Sequence, residues 1–333
     1  MRGLTFLISC KPSGRVGKVS AQYRIGIVTM QDSYQIAFVG FGEAAMAFVK
    51  GWRENGELSL RAFDVKTQTP DTAIASAKRE DYATHLVGGE DSLSTALKGA
   101  SVVFSLVTAD QAHAAARATA PHMERGSLFL DCNSCAPGTK RRSAKCIENA
   151  GGRYVDVAVM SPVYPKLHKT PLLISGPHTK AAMAVFDYLQ MSAKVMDGDV
   201  GRASSVKMVR SIMMKGLEAL FAECVLAGRQ AGVDKEVLAS LDVTYPGFNF
   251  TDRASYSFER MTAHGKRRAE EMKEVALTIE ELGLPNDMAH AIVNWQSRIG
   301  NLGMTAGEDN YQKRADALLA RFNKNTGKME TEE

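Results

Sequence analysis

Three groups of residues in this chain have the types and spacing to do chemistry. In the first, Gly40-Phe41-Gly42-Glu43-Ala44-Ala45 follows the apolar run Gln35 to Val39, and Asp64 closes a second run, Leu58 to Phe63. Gly40 permits a sharp strand-to-helix turn, Gly42 lets backbone N–H groups approach a pyrophosphate, and the small Ala45 lets the helix lie against the strand. The helix N-terminus then turns its positive dipole end toward the phosphates. Asp64, about 20 residues on, sits where a carboxylate accepts both hydroxyls of an adenosine ribose. A lone glycine turn would not carry this reading; the order strand, motif, helix, strand, acid does. In the second group Lys207, Ser211 and Glu218 share one face of a long helical stretch. In the third, His264, Arg267, Arg268 and Glu271 cluster near the middle of another. The last two groups also have plain readings. Lys207 can sit on a solvated helix face, Arg267 with Glu271 can form a surface ion pair one turn apart, and His264 with Arg268 can belong to a structural helix face.

Positioning these residues takes an alternating chain. Helices are expected over Asp71 to Arg79, Asp91 to Leu97 and Ala109 to Met123, with strands at His85 to Val87, Ser101 to Val107 and Ser127 to Asp131. The last two are continuous apolar runs of the kind buried in a parallel sheet. This is an α/β Rossmann pattern, a right-handed doubly wound parallel sheet whose ligand lies beyond the carboxyl ends of the strands. Those ends carry Val107-Thr108-Ala109 and Asn133-Ser134-Cys135-Ala136-Pro137. Asn133 and Ser134 also read as a helix cap ahead of Pro137 and Thr139. Further strands are expected at Arg153 to Ala158, Leu172 to Ser175 and Ala193 to Met196, with a helix from Thr179 to Leu189. From Ser204 onward the periodicity is helical throughout, so an all-α helical domain is expected to follow the Rossmann domain. Val206, Val209, Met213, Leu220 and Cys224 form an apolar stripe on the helix Ser204 to Gly232. Met272, Val275, Ile279 and Leu282 form a core stripe on the helix Ser255 to Leu282, which Gly283 and Pro285 stop. The expected organisation is an extension over 1–32, a dinucleotide-binding domain over 33–200, a helical substrate and dimerisation domain over 201–322, and a polar tail over 323–333.

Composition narrows the partners. A chain of 333 residues suits two domains, and a hydrophobic content of 45% is enough for a substantial core. The net charge of +4 is slight and the basic residues are interspersed with acidic ones, which argues against nucleic acid. Five cysteines, unevenly placed, suggest reduced thiols and a cytoplasmic protein. Cys132 and Cys135 form a C-x-x-C, but with no second pair at zinc spacing and no thioredoxin context a metal or redox role is not expected. No apolar run reaches the length of a membrane span. Leu4 to Cys10 faintly resembles a lipoprotein signal, but its apolar part is short and Lys11, Arg15 and Lys18 follow it; a disordered extension is the expectation, with Met30 as an alternative start.

Ser205-Val206-Lys207-Met208-Val209-Arg210-Ser211 resembles the Lys-Met-Val-His-Asn segment of the 6-phosphogluconate dehydrogenases and the Lys-x-x-x-Asn of the wider β-hydroxyacid dehydrogenases. The resemblance runs over about Gln35 to Gly300 by order of elements and short matches. Leu106 to Ala109 is similar to the family's loop on the nicotinamide side, Asp131 to Pro137 to its Asp-x-Ser-Thr-x-x-Pro, and Asp156 to Val159 to its Asp-Ala-Pro-Val. The resemblance implies an NAD(P)-dependent dehydrogenase with Lys207 as acid/base and Ser211 in place of the family's asparagine. It places Val107, Thr108 and Asn133 with the glycine loop at the cofactor. The small carboxylate-bearing substrate would lie against Met160 and Ser161, with Arg210, His264, Arg267 and Arg268 as its cationic partners. The chain departs from the pattern where the family's Ser-Gly-Gly becomes Met160-Ser161-Pro162, losing a donor N–H at Pro162. Glu270-Glu271 stands where the family has Lys-Asp. Asp64 repels a 2′-phosphate and Val65 stands where an arginine often accepts one, so NAD is expected over NADP, with Lys66 and Arg61 able to favour NADP. A reductase of C=N bonds on the same architecture and a dinucleotide-binding protein without turnover are the alternatives. Similar enzymes dimerise through the helical domain, so a homodimer is expected.

Overall fold

Short, fully buried strands form the centre of the sheet. The computed structural model describes residues 34–54, 56 and 58–329; the expectations for Leu4 to Cys10, the basic run after it and Met30 lie outside the described residues. The first part alternates β1 (Ile36–Val39), α1 (Glu43–Arg53), β2 (Leu60–Phe63), α2 (Thr72–Thr84), β3 (Gly88–Gly89), α3 (Leu93–Leu97), β4 (Val102–Ser105), α4 (Ala112–Thr119), β5 (Leu128–Asp131) and α5 (Pro137–Asn149). It continues with β6 (Arg153–Val159), β7 (Leu172–Ser175), α6 (Thr179–Tyr188) and β8 (Ala193–Val195). After these come helices: α7 (Arg202–Ala231), α8 (Asp234–Thr244), α9 (Phe250–Glu281), α10 (Asp287–Gly300) and α11 (Tyr311–Met329). The eight strands lie in the order β3-β2-β1-β4-β5-β6-β7-β8. Every residue of β1, β4 and β5 is buried, as a sheet covered by helices on both faces requires.

The sheet is not parallel throughout. β7 runs antiparallel to β6, and β8 is parallel to β7. The reason lies in residues 160–171, which hold one 3₁₀ turn, Leu167–Lys169, in place of the helix that a parallel crossover needs. The strand expected at His85 to Val87 is displaced to Gly88–Gly89 because the carbonyls of His85 and Leu86 accept from the Arg53 guanidinium, and Leu86 takes a left-handed conformation with φ 53°. The crossover expected over Ala109 to Met123 is broken into α4 with a 3₁₀ turn at each end.

Two helix faces are corrected as well. Met272, Val275 and Ile279 of α9 are buried, but Leu282 lies past the helix end and is 62% exposed. On α7 the stripe Val206, Val209, Met213, Leu220 and Cys224 faces outward. The inner face carries Ser204, Met208, Ser211, Lys215, Glu218, Ala222 and Val225. Its N-terminal half is polar because that half borders the carboxyl edge of the sheet, where charged groups from several elements meet.

Candidate active site

The glycine loop is fixed from three sides. Gly40 has φ +84°, and a Cβ there would lie 2.5 Å from the Leu106 carbonyl oxygen, so only glycine fits between the β1 and β4 edges. The Phe41 N–H donates to Asp64 Oδ2 at 2.8 Å, while the Phe41 carbonyl accepts from the buried Lys78 Nζ at 2.7 Å. The Phe41 ring is itself buried, so the loop is anchored by its side chain as well as by its backbone. Beyond it a Cβ on Gly42 would meet nothing within 4 Å, and no side chain caps the N-terminus of α1 at Glu43, Ala44 and Ala45. Open space in front of a helix start is what a pyrophosphate requires, and the residues present fit a dinucleotide. Asp64 also accepts from the Lys66 N–H at 3.0 Å and retains lone pairs for a ribose. Of the two cations near it, Arg61 is committed to the carbonyls of Thr95 and Lys98 at the end of α3, and Lys66 is exposed.

Asn133 works inside the protein. Its Oδ1 accepts from the Val107 N–H at 2.7 Å, and its Nδ2 donates to Ser105 Oγ at 2.9 Å and to Asp131 Oδ1 at 2.8 Å. This ties the loop after β4, with Val107 and Thr108, to the loop after β5. Neither Asn133 nor Ser134 caps α5. Glu274 of α9 takes the Ala136 N–H at 2.7 Å and Glu281 the Gly138 N–H at 3.0 Å, so a distant helix supplies the cap.

Below these loops lies a buried charge cluster. Lys140 Nζ donates to Asp131 Oδ1 at 3.0 Å and to the Asp131 carbonyl at 2.6 Å, and sits 3.4 Å from Asp156 Oδ1. Burial works against the ammonium, but the two carboxylates hold it protonated, above the ordinary lysine range. Tyr154 donates to Asp131 at 2.6 Å. Asp156 Oδ2 accepts the N–H groups of Gly201 and Ser204 at 3.1 and 3.0 Å, which makes it the N-terminal cap of α7 that Gly201 cannot supply. The register Asp131↔Asp156 on adjacent strands is the signal for this cluster: two buried acids side by side, one at the end of β5 and one in the middle of β6, need a buried cation, and Lys140, missing from the residues that the sequence brings forward, supplies it.

One turn into α7, Lys207 donates from Nζ to Ser134 Oγ. Its amine is half-buried at the crevice between the sheet edge and α9. Burial pushes it down to about 8; Glu271 opposes the shift, while Lys215, Lys140 and Arg267 add to it. The Ser211 hydroxyl accepts from Lys215 Nζ at 3.1 Å rather than from Lys207. Lys215 and Arg267 each reach Glu271 at 2.9 Å, and Glu271 is held far below the usual carboxylate range despite its burial. Arg210 reaches the Met160 carbonyl at 3.4 Å, beside Ser161, which donates to the Pro162 carbonyl. His264 and Arg267 border a hollow of about 370 Å³ with Gly300, Gly303 and Met304. Burial lowers the His264 imidazole, helped by Arg260 and Arg267 and opposed by Glu43 at the start of α1. Lys207 thus meets Ser134 directly and feels the charge of Arg267, Arg210 pairs with Met160, and His264 feels the charge of Glu43 at the start of α1.

Arg268 is placed elsewhere. Its guanidinium forks onto Glu218, which also accepts from Gln296 at 2.8 Å, in the interior between α7, α9 and α10. Cys132 and Cys135 are both buried, with Cys132 pushed up to about 12 and Cys135 well above its ordinary value, principally by burial. Neither is a thiolate at neutral pH. Among the described residues no helix is long and apolar enough to cross a membrane.

Comparison with known proteins follows the same division. Residues 229–299 match a domain of unknown function, DUF1932. A conserved hypothetical protein from Sinorhizobium meliloti 1021 is 34% identical, with 87% of this chain and 97% of that one covered and a TM-score of 0.67. A 2-(hydroxymethyl)glutarate dehydrogenase from Eubacterium barkeri is 22% identical over 219 residues, 64% of this chain and 69% of its own. An imine reductase from Myxococcus stipitatus, in complex with NADP+, shares the fold at 18% identity, covering 86% and 99% of the two chains with a TM-score of 0.51. Residues 35–201 match the NAD binding domain of 6-phosphogluconate dehydrogenase, and with half its length in that match the chain belongs to this NAD(P)-binding family.

Proposed function

We propose that this protein is an NAD(P)-dependent dehydrogenase that oxidises the hydroxyl of a small β-hydroxy acid, with Lys207 as general base. The observation that carries the reading is the Lys207 amine, set by burial near pH 8, hydrogen-bonded to Ser134 and placed where the sheet edge meets α9. The nicotinamide, when bound, supplies the hydride acceptor. Neutral Lys207 takes the hydroxyl proton onto Nζ, and Ser134, by accepting from the amine, aims it. Ser211 acts one step removed, through Lys215. Arg210 beside Ser161, and Arg267 over the hollow, are the cations for the substrate carboxylate. Asp64 favours NAD, because its carboxylate faces the position of a 2′-phosphate and Arg61 is unavailable to neutralise one. The outward apolar stripe of α7 supports a homodimer.

A panel of β-hydroxy acids with NAD and NADP, followed by absorbance of the reduced cofactor, tests the proposal. Turnover on imines or ketone and amine pairs alone would favour the C=N reductase reading, to which the shared fold points. Tight binding of reduced cofactor with no turnover on either panel would favour a binding protein.

A further inference from the structure

Lys207 does not stand alone among cations. Facing it are Ser134 from the loop after β5, Lys140 of α5 within its Asp131–Asp156 pocket, Glu271 and Arg267 of α9, and Lys215 of its own helix. Lys207, Ser211 and Lys215 succeed one another at single-turn intervals on the inner face of α7. Lys215 is buried and fully directed: Nζ donates to Ser211 Oγ at 3.1 Å and lies 2.9 Å from Glu271 Oε2. The other oxygen of Glu271 is taken by Arg267 at 2.9 Å.

A buried Lys–Glu pair is a poor stabiliser, since the desolvation of both groups roughly cancels their attraction and an apolar pair of equal volume would hold the helices as well. Its presence two turns from an amine that must exist uncharged calls for an electrostatic explanation. Glu271 is the carboxylate whose field favours a charged Lys207. We propose that Lys215 is a positioning residue for Lys207: together with Arg267 it holds both oxygens of Glu271, and so withholds that carboxylate from the Lys207 amine, which stays on the Ser134 hydroxyl. Ser211 has its role here, fixing Lys215 toward α9. The significance of the device rests on Lys207 being the acid/base, but its geometry can be tested without that assumption.

The test measures the Lys207 amine directly, by competitive acetylation with acetic anhydride across pH and mass-spectrometric readout of the Lys207 peptide. The wild-type midpoint is expected at about 8. In Lys215→Met, Glu271 is freed toward Lys207 and the midpoint should rise by about one pH unit or more, the effect of an opposite charge within a few ångströms. Lys215→Arg, which keeps a cation on Glu271, should remain near wild type. Glu271→Gln alone should lower the midpoint, and this variant carries the test if Lys215→Met does not fold. In the Glu271→Gln background the rise on adding Lys215→Met should shrink to less than half, what remains being the loss of a neighbouring cation. An unmoved midpoint in folded Lys215→Met, an unmoved midpoint in Glu271→Gln, or equal rises in the two backgrounds would each overturn the proposal. The kcat/KM profile separates the two levels. Profiles that follow the acetylation midpoints support both, while a shifted midpoint with an unshifted profile supports the positioning role and refutes Lys207 as the base.

Discussion

Arg268→Met discriminates between a ligand-binding arginine and a structural one. Arg268 and Glu218 are 12% and 5% exposed, and the guanidinium meets the carboxylate with two arms, Nε–Oε2 at 3.0 Å and a second arm to Oε1. Without the arginine, Glu218 keeps one neutral donor, Gln296 Nε2 at 2.8 Å, with its own side chain only 5% exposed. An uncompensated buried charge of this kind costs about 3–5 kcal/mol. Glu218→Leu combined with Arg268→Met removes the charge altogether. It leaves the Gln296 amide, whose Oε1 already has no partner, as the group to be penalised, at about 1–3 kcal/mol. The double variant should therefore be more stable than Arg268→Met alone. Urea unfolding of the three proteins gives the free energies, and steady-state kinetics on an identified substrate gives KM. If Arg268→Met loses less than about 1 kcal/mol, below the buried-pair range, and KM rises tenfold or more, the guanidinium serves the substrate and the structural assignment is wrong.

Lys207→Met should lower turnover by about 10²- to 10⁴-fold while leaving cofactor affinity, measured by fluorescence titration, unchanged; retention of more than about a tenth of wild-type kcat would remove Lys207 from the mechanism. Oxidation needs the neutral amine, so kcat/KM should rise tenfold per pH unit below about 8 and level off above it, and reduction, which needs the protonated amine, should fall through the same pH. NAD should bind more tightly than NADP, and Asp64→Ser should narrow the ratio while weakening both, because the carboxylate also holds the Phe41 N–H; tighter NADP binding by the wild type would reverse the assignment. Met213 is 64% exposed at the centre of the outward stripe of α7, so Met213→Glu should halve the mass seen by light scattering at micromolar concentration, and a monomeric wild type would refute the dimer.

What could be read from the chain follows the range of the forces involved. The glycine turn, Asp64 and the buried strands are fixed by neighbours in sequence, and the Phe41 N–H of the turn donates to Asp64 Oδ2 at the end of the next strand at 2.8 Å. The reversal of β7 is legible in principle, because the segment after Val159 has no helical pattern long enough to cross over between the strands expected at Arg153 to Ala158 and Leu172 to Ser175. Helix faces were the least legible. An apolar stripe points inward only where the interior is apolar, and α7 runs along a site edge whose interior contains Asp156, Lys140 and Glu271. There Ser204, Ser211, Lys215 and Glu218 face inward, and Val206, Val209 and Met213 face out.

Arg267 and Arg268, adjacent residues with the same chemistry in sequence, are separated by the same dependence on the interior. Consecutive residues on a helix point about 100° apart, so one guanidinium enters the packed interior toward Glu218 while the other reaches Glu271 at the rim of the hollow. Which of the two is buried depends on where Glu218 of α7 lies, 50 positions before Arg268 in the chain. A cluster of cations on a helix therefore locates a site only to within one face. Its partners across the crevice separate the members: Glu218 holds Arg268 in the interior, while Glu271 is shared by Lys215 and Arg267 and acts electrostatically on the amine of Lys207.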